Sequence, residues 1–88
     1  MDAHPGQPRP GEWLRQQRAA AGLTQEDLAA RSGISVRAIA DLERGRTRKP
    51  YPSSVRALAG ALGLPAATAD ALLASYRAAS RAARQPVS

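Results

Sequence analysis

Four glycines constrain the fold of this chain more than any other feature, because helical periodicity stops at each of them and restarts soon after. They are Gly22, Gly33, Gly45 and Gly63. Glycine often closes an α-helix, since it adopts the left-handed backbone conformation without steric cost. Between these positions apolar residues recur at intervals of three and four, which is the spacing of one helix face. No stretch long enough for a β-strand alternates apolar and polar residues. The sequence therefore predicts an all-α chain of short helices.

Five helices follow from these boundaries and from helix start signals. They are predicted over Glu12–Ala21, about Gln25–Ser32, Val36–Arg44, Pro52 to Gly63, and Ala66–Arg84. The start signals are two hydroxyl N-caps and two prolines, namely Thr24, Ser35, Pro52 and Pro65. An N-cap oxygen accepts a hydrogen bond from an otherwise unpaired backbone N–H, and proline is tolerated in the first turn because its missing N–H would be unpaired there anyway.

A chain of 88 residues is expected to build one domain, here over residues 12–84. The stretch Met1–Gly11 holds three prolines and almost no apolar residue to offset the entropy cost of ordering, so it is predicted to be a disordered arm. Residues 85–88 are predicted to be a flexible tail. The single histidine, His4, lies in the arm, so no metal or catalytic role is expected of it.

Packing must supply the stability of this domain, because the chain has no cysteine and hence no disulfide. The predicted core consists of apolar residues at helical spacing, namely Leu14, Leu28, Ile34, Ile39, Leu42, Val55, Leu58, Leu62 and Leu72. Trp13 is expected either to pack at the base of the first helix or to lie partly exposed.

The net charge of the chain indicates what kind of molecule it binds. Thirteen Lys and Arg against seven Asp and Glu give a net charge of +6, which favours a polyanion and nucleic acid first of all. Four of six consecutive positions between the third and fourth helices are basic, namely Arg44, Arg46, Arg48 and Lys49. Such a loop either binds phosphates or is simply solvated, and its composition alone does not decide between the two.

Catalysis and membrane insertion are not expected. The predicted domain has no Ser/His/Asp set, no cysteine and no phosphate-cradling glycine loop, so no catalytic residue, metal or cofactor is predicted. No apolar run approaches the roughly 18–20 residues that cross a bilayer, and the N-terminus lacks a signal pattern. A cytoplasmic protein is predicted.

The turn between the second and third helices, Ser32-Gly33-Ile34-Ser35, has the length and the glycine typical of a helix-turn-helix motif. Three further stretches accompany it, namely Gly22–Ala29, Leu42–Gly45 and Ala57–Leu64. Together they resemble the lambdoid phage repressor and Cro family, also called XRE-type regulators, over Trp13 to about Tyr76. The resemblance implies a lambda-repressor-like five-helix bundle that binds double-stranded DNA with its third helix in the major groove.

The resemblance also implies roles for individual residues. Base edges are expected to contact Val36, Arg37, Ala38 and Asp41. Phosphates are expected at the start of the second helix and on the basic loop, at Thr24, Gln25, Arg44, Arg46, Arg48 and Lys49. Arg18 and Glu43 resemble a buried ion pair that ties the first helix to the third. Val36 departs from the family, because many relatives have glutamine there and a valine offers only an apolar contact, such as to a thymine methyl.

Two of these interpretations stay open. Asp41 is either a base contact, a solvated residue or a carboxylate that repels wrong sequences. The arginines of the fifth helix, Arg77, Arg81 and Arg84, most simply form a solvated stripe that complements the helix dipole, and the alternative is a contact with nucleic acid.

A weak homodimer, or a dimer formed on DNA, is expected because one short helix reads few base pairs. Its interface is predicted on the fifth helix at Leu73 and Tyr76, with the loop between the third and fourth helices as the alternative.

Two rival functions remain. A protein-interaction adaptor with this fold would expose apolar anchors on the third helix in place of Arg37 and Asp41, and the fifth helix could instead bind RNA or membranes. The chain is either a whole regulator or the DNA-binding part of a protein with a C-terminal effector domain. A composition rich in Ala, Arg, Gly and Pro indicates a GC-rich genome, such as that of an actinobacterium.

Overall fold

The computed structural model describes residues 9–47 and 49–84, and the side chains of residues 82–84 lie outside that description. Five helices form the described part: α1 Pro10–Ala20, α2 Gln25–Ser32, α3 Val36–Arg44, α4 Pro52–Ala61 and α5 Ala66–Arg84. These residues contain no strand, and none of their helices is long and apolar enough to span a membrane. The prediction of an all-α bundle is confirmed.

Some predictions concern residues outside the described part of the chain. They are residues 1–8 of the predicted arm with His4, the predicted tail 85–88, Arg48 of the basic loop, and the side chain of Arg84.

The first helix begins at Pro10, two residues before the predicted start, so the end of the predicted disordered arm is wrong. The reason is the packing of Gly11, which is buried against the C-terminal end of α3. A Cβ at this position would lie 2.6 Å from the Glu43 carbonyl oxygen and closer still to that of Leu42. A glycine that looked like part of a flexible arm is therefore what lets α1 approach α3.

Local hydrogen bonds set the boundaries of α2 and α3. The Thr24 hydroxyl accepts a hydrogen bond from the Asp27 N–H, and the Asp27 carboxylate accepts one from the Thr24 N–H, both at 3.0 Å. This reciprocal capping box begins α2. Gly33, with φ of 78°, ends α2 in the left-handed conformation. The Ser35 hydroxyl then accepts a bond from the Ala38 N–H at 3.1 Å and begins α3.

All five helices contribute to one core. Its buried apolar residues are Leu14, Leu23, Leu28, Ile39, Leu42, Val55, Leu58, Ala59, Ala69, Leu72, Leu73 and Tyr76. Two predicted core residues, Ile34 and Leu62, are only partly buried and pack against this cluster, as does Trp13. Leu73 and Tyr76 are 6% and 3% exposed. The prediction that they form a dimer interface is wrong, because α5 packs against both α1 and α4 and covers these side chains inside the bundle.

Candidate nucleic-acid interface

α3 is held in the bundle by one face and turns the other to solvent. Ile39 and Leu42 are 0% and 3% exposed, and the helix packs against α1 and α2. Arg37 and Asp41 are four positions apart and share a face that points away from Ile39 and Leu42, whereas Ala38 lies four positions before Leu42 and so at the border of the buried face.

Of the four residues predicted to contact bases, Arg37 is exposed, whereas Val36, Ala38 and Asp41 are half-buried. Arg37 therefore lies open to solvent, while the other three side chains are partly covered. Within this set, the longest side chain is also the most accessible one.

Arg18 and Glu43, the residues of the predicted ion pair, lie together between α1 and the end of α3. Arg18 Nε donates to Glu43 Oε2 at 2.7 Å, and Nη2 donates to Oε1 at 3.0 Å. This is the two-pronged geometry in which an arginine pairs most strongly with a carboxylate. The two side chains are 15% and 3% exposed. Arg18 Nη1 also donates to the Leu23 carbonyl oxygen at 2.9 Å, so one guanidinium joins three segments.

Gln25 completes this cluster in a way that the sequence did not indicate. Its Nε2 donates to Glu43 Oε1 at 3.0 Å and ties the start of α2 to the end of α3. Because an amide nitrogen carries two hydrogens, one N–H of this side chain at most remains to bind a phosphate, beside the backbone N–H of Gln25. The Thr24 N–H is taken up by the capping box, whereas its hydroxyl accepts there and keeps its own hydrogen to donate.

The ion pair keeps both partners charged. Burial by itself would raise the pKa of Glu43, but the hydrogen bonds from Arg18 and Gln25 and the positive charge of Arg18 outweigh it, so this pKa lies below its ordinary value. The hydrogen bond to Glu43 in turn raises the pKa of Arg18. The link between α1, α2 and α3 is therefore an ionic one at neutral pH.

Tyr76 is a further residue that positions α3, and sequence reasoning missed it. Its hydroxyl donates to the Leu42 carbonyl oxygen in the last turn of α3 at 3.0 Å, and the Gly45 N–H donates to the same oxygen at 3.3 Å. Burial raises the pKa of this phenol, with the Glu43 charge acting in the same direction. The available signal was the amphipathic nature of tyrosine, since a buried tyrosine normally finds a hydrogen-bond partner.

The basic loop begins directly at the end of α3. Gly45 ends the helix in the left-handed conformation, and the Arg46 N–H donates to the Asp41 carbonyl oxygen at 2.8 Å. Arg44, Arg46 and Lys49 are all exposed. In the described part of the chain, no carboxylate oxygen lies within 4.0 Å of these three cations.

The arrangement can present a helix and a cluster of cations to a polyanion. Among the described residues there is no group of three or more His, Cys, Asp or Glu side chains that could hold a metal ion. Glu43, the carboxylate that lies between α1 and the end of α3, accepts hydrogen bonds from Arg18 and Gln25.

The helix-turn-helix family matches residues 14–68, from the first buried leucine of α1 to the start of α5. Because this match covers more than half of the chain, the protein belongs to that family. The resemblance to XRE-type regulators is thereby confirmed.

Curated relatives are similar over the same region. The HTH-type transcriptional repressor RghR of Bacillus subtilis is 40% identical over 55 residues, which make up 62% of this chain and 41% of that protein. An uncharacterized HTH-type transcriptional regulator of Mycobacterium tuberculosis is 40% identical over 63 residues, 72% of this chain and 24% of that protein. One from Sinorhizobium fredii is 51% identical over 43 residues, 49% and 54% of the two chains. The match thus spans about a quarter to about half of these relatives.

Proposed function

We propose that this chain binds double-stranded DNA with sequence preference and serves in bacterial transcription regulation, with α3 in the major groove. The observation that carries the proposal is how α3 is held. Gly11, Arg18 and Tyr76 contact its C-terminal end from α1 and α5, while Arg37 extends into solvent from the other face. A recognition helix needs such a fixed position, because hydrogen bonds to base edges are short and directional.

Within this proposal, two kinds of contact divide the surface. Arg37 is the candidate for reading guanine, since a guanidinium can donate two hydrogen bonds to O6 and N7. Val36, Ala38 and Asp41 would border the same bases. Arg44, Arg46, Arg48 and Lys49 would bind phosphates, together with the start of α2 at Thr24 and Gln25, where helix N-termini favour anions.

The names of the relatives support the regulatory part of the proposal, since they are called transcriptional regulators and one is called a repressor. We further propose that the protein is not an enzyme, that it lies in the cytoplasm in association with the nucleoid, and that a C-terminal effector domain accompanies this fold in a longer protein. The actinobacterial source stays a prediction.

A weak dimer, formed or strengthened on DNA, also belongs to this proposal. With Leu73 and Tyr76 in the core, the loop between α3 and α4 is the remaining candidate interface. Tyr51 in this loop is 77% exposed, and it is the large hydrophobic side chain that the described residues leave most open to solvent. Analytical ultracentrifugation with and without a bound site would detect the pairing.

The direct test is selection of bound sites from a pool of random duplexes, followed by fluorescence anisotropy on the selected duplex and on a shuffled one. We expect a short enriched motif and at least about a thousandfold preference at physiological salt. No enrichment and equal affinity for both duplexes would contradict sequence-dependent binding. A protein adaptor with the same fold would give that negative result.

A further inference from the structure

A groove of about 440 Å³ lies between the α3–α4 loop and the C-terminal half of α5. Its lining residues are Lys49, Pro50, Leu73, Arg77, Ser80 and Arg81. Three of these six are cations and none is acidic. The floor of the groove includes Leu73 and Ser80, which are both 6% exposed. The three cations therefore lie beside a surface that is poorly accessible to water.

The two arginines of the groove are placed as a pair. Arg77 and Arg81 are four positions apart on α5, so they lie one above the other on the same helix face, and both are exposed. No carboxylate oxygen in the described part of the chain lies within 4.0 Å of either guanidinium or of Lys49. Like charges brought together without a counter-charge favour the binding of an anion.

We propose that Arg77 and Arg81, with Lys49, bind the sugar–phosphate backbone of the DNA duplex that α3 engages. This inference rests on the proposed function and adds to it a second set of phosphate contacts, contributed by α5. The fifth helix then acts on DNA directly as well as through its packing.

Continuity of the charged surface favours a duplex over a small anion. Lys49 belongs both to the basic loop and to the groove, so the loop that follows α3 brings at least one of its cations beside those of α5. Four residues advance a helix by about 6 Å. One strand of DNA presents a phosphate about every 3.4 Å along its axis. The two backbone positions are thus just under two phosphate intervals apart, and the long arginine side chains can adjust to bind two phosphates of one strand.

The expected effect is a loss of salt-dependent affinity without a change in base preference. Each phosphate neutralised contributes about 0.9 to the slope of log affinity against log salt concentration. R77A/R81A should lower this slope by about 1.8 and weaken every duplex by a similar factor, on the order of tenfold. The ranking of base-pair variants of the selected site should stay as in the wild type.

The measurement is anisotropy with the full chain, on the selected duplex and on an unrelated duplex of equal length, across roughly 50 to 200 mM salt. The matched control is Arg56→Ala on α4, an arginine that is 63% exposed and lies 3.9 Å from Asp70. R56A should leave the slope unchanged. R77K/R81K should stay near the wild-type slope, because the charges are retained.

Both groove arginines are exposed, so the variants are expected to fold, and thermal unfolding checks this. If R77A/R81A loses stability, the single variants R77A and R81A carry the test, each with a slope lower by about 0.9.

Three results would overturn the inference. An unchanged slope in folded R77A/R81A excludes the contact, and an equal loss per removed charge in R56A shows that only bulk charge matters. Unchanged DNA binding, with loss of the NMR shifts that inorganic phosphate causes in the wild type, makes the groove a small-anion site. If the wild type binds no duplex, the proposed function fails as well, and this outcome is distinct from the other three.

Discussion

Breaking the ion pair between Arg18 and Glu43 is the perturbation whose effect on the free energy of unfolding follows most directly from the structure. In Arg18→Met the side-chain stem remains, but three hydrogen bonds from the guanidinium are lost, and Glu43 keeps only the bond from Gln25. Removing one partner of a buried pair costs about 3–5 kcal/mol, whereas an exposed pair is worth about 0–1 kcal/mol. With side chains 15% and 3% exposed, we expect about 3 kcal/mol, or roughly 12–24 °C in melting temperature.

A double-mutant cycle separates the pair from the other contacts of each residue. Urea unfolding of the wild type, R18M, E43Q and the double variant, followed by circular dichroism, should give a coupling free energy of about 2 kcal/mol. The two single variants should each be destabilised, and the double variant less than their sum. A coupling below a few tenths of a kcal/mol would refute the reasoning, because burial and geometry would then not predict the strength of this ion pair.

The same variants predict a pH dependence. Because the pKa of Glu43 is lower in the folded state, its stabilising effect is complete above the ordinary value of 4.5 and is lost as the pH falls through the lowered value. E43Q should therefore lose less stability on acidification than the wild type. Some acid dependence should persist, since the hydrogen bond from the Thr24 backbone lowers the pKa of Asp27 too. Identical pH profiles for E43Q and the wild type would argue against the shift.

Three further predictions concern the surface and the packing of α3. Arg37→Ala should cost about 1–3 kcal/mol of binding free energy on the preferred duplex and relax the choice of base at one position, which competition titrations measure. Arg46→Ala should instead weaken the binding of all duplexes alike and lower the slope of log affinity against log salt concentration by about 0.9, which salt titrations measure. If R46A rather than R37A reorders the base variants, the assignment is reversed. Gly11→Ala should destabilise by about 1–3 kcal/mol in thermal unfolding, because its Cβ would meet backbone carbonyls. The control Gly60→Ala, with no atom within 4 Å of the new Cβ, should stabilise by about 0.4–1 kcal/mol, and equal effects at both glycines would contradict the packing argument. Tyr76→Phe should cost about 0.5–1.5 kcal/mol in urea unfolding by removing one of the two hydrogen bonds that the Leu42 carbonyl oxygen accepts, and a cost near zero would mean that this hydrogen bond is dispensable.

The helices and the turn between α2 and α3 were predictable from sequence because the interactions that bound them are local. The capping box joins residues three apart, and the left-handed glycine at position 33 acts on its own turn. Apolar spacing then identified most of the core, since a helix face repeats every three to four residues. The basic loop was equally visible, because its residues are neighbours in the chain.

Tertiary structure alone decided which residues hold α3 in place. Tyr76 and Leu42 are 34 positions apart, and the backbone contact of Gly11 with the end of α3 leaves no periodic signal. Arg18 and Glu43 are 25 positions apart, and only the family resemblance suggested that they pair. The spacing of apolar residues indicates which face of a helix is buried, but it does not indicate which other helix packs against that face. The packing of α5 against both α1 and α4 therefore determined that Tyr76 lies in the core and not at an interface.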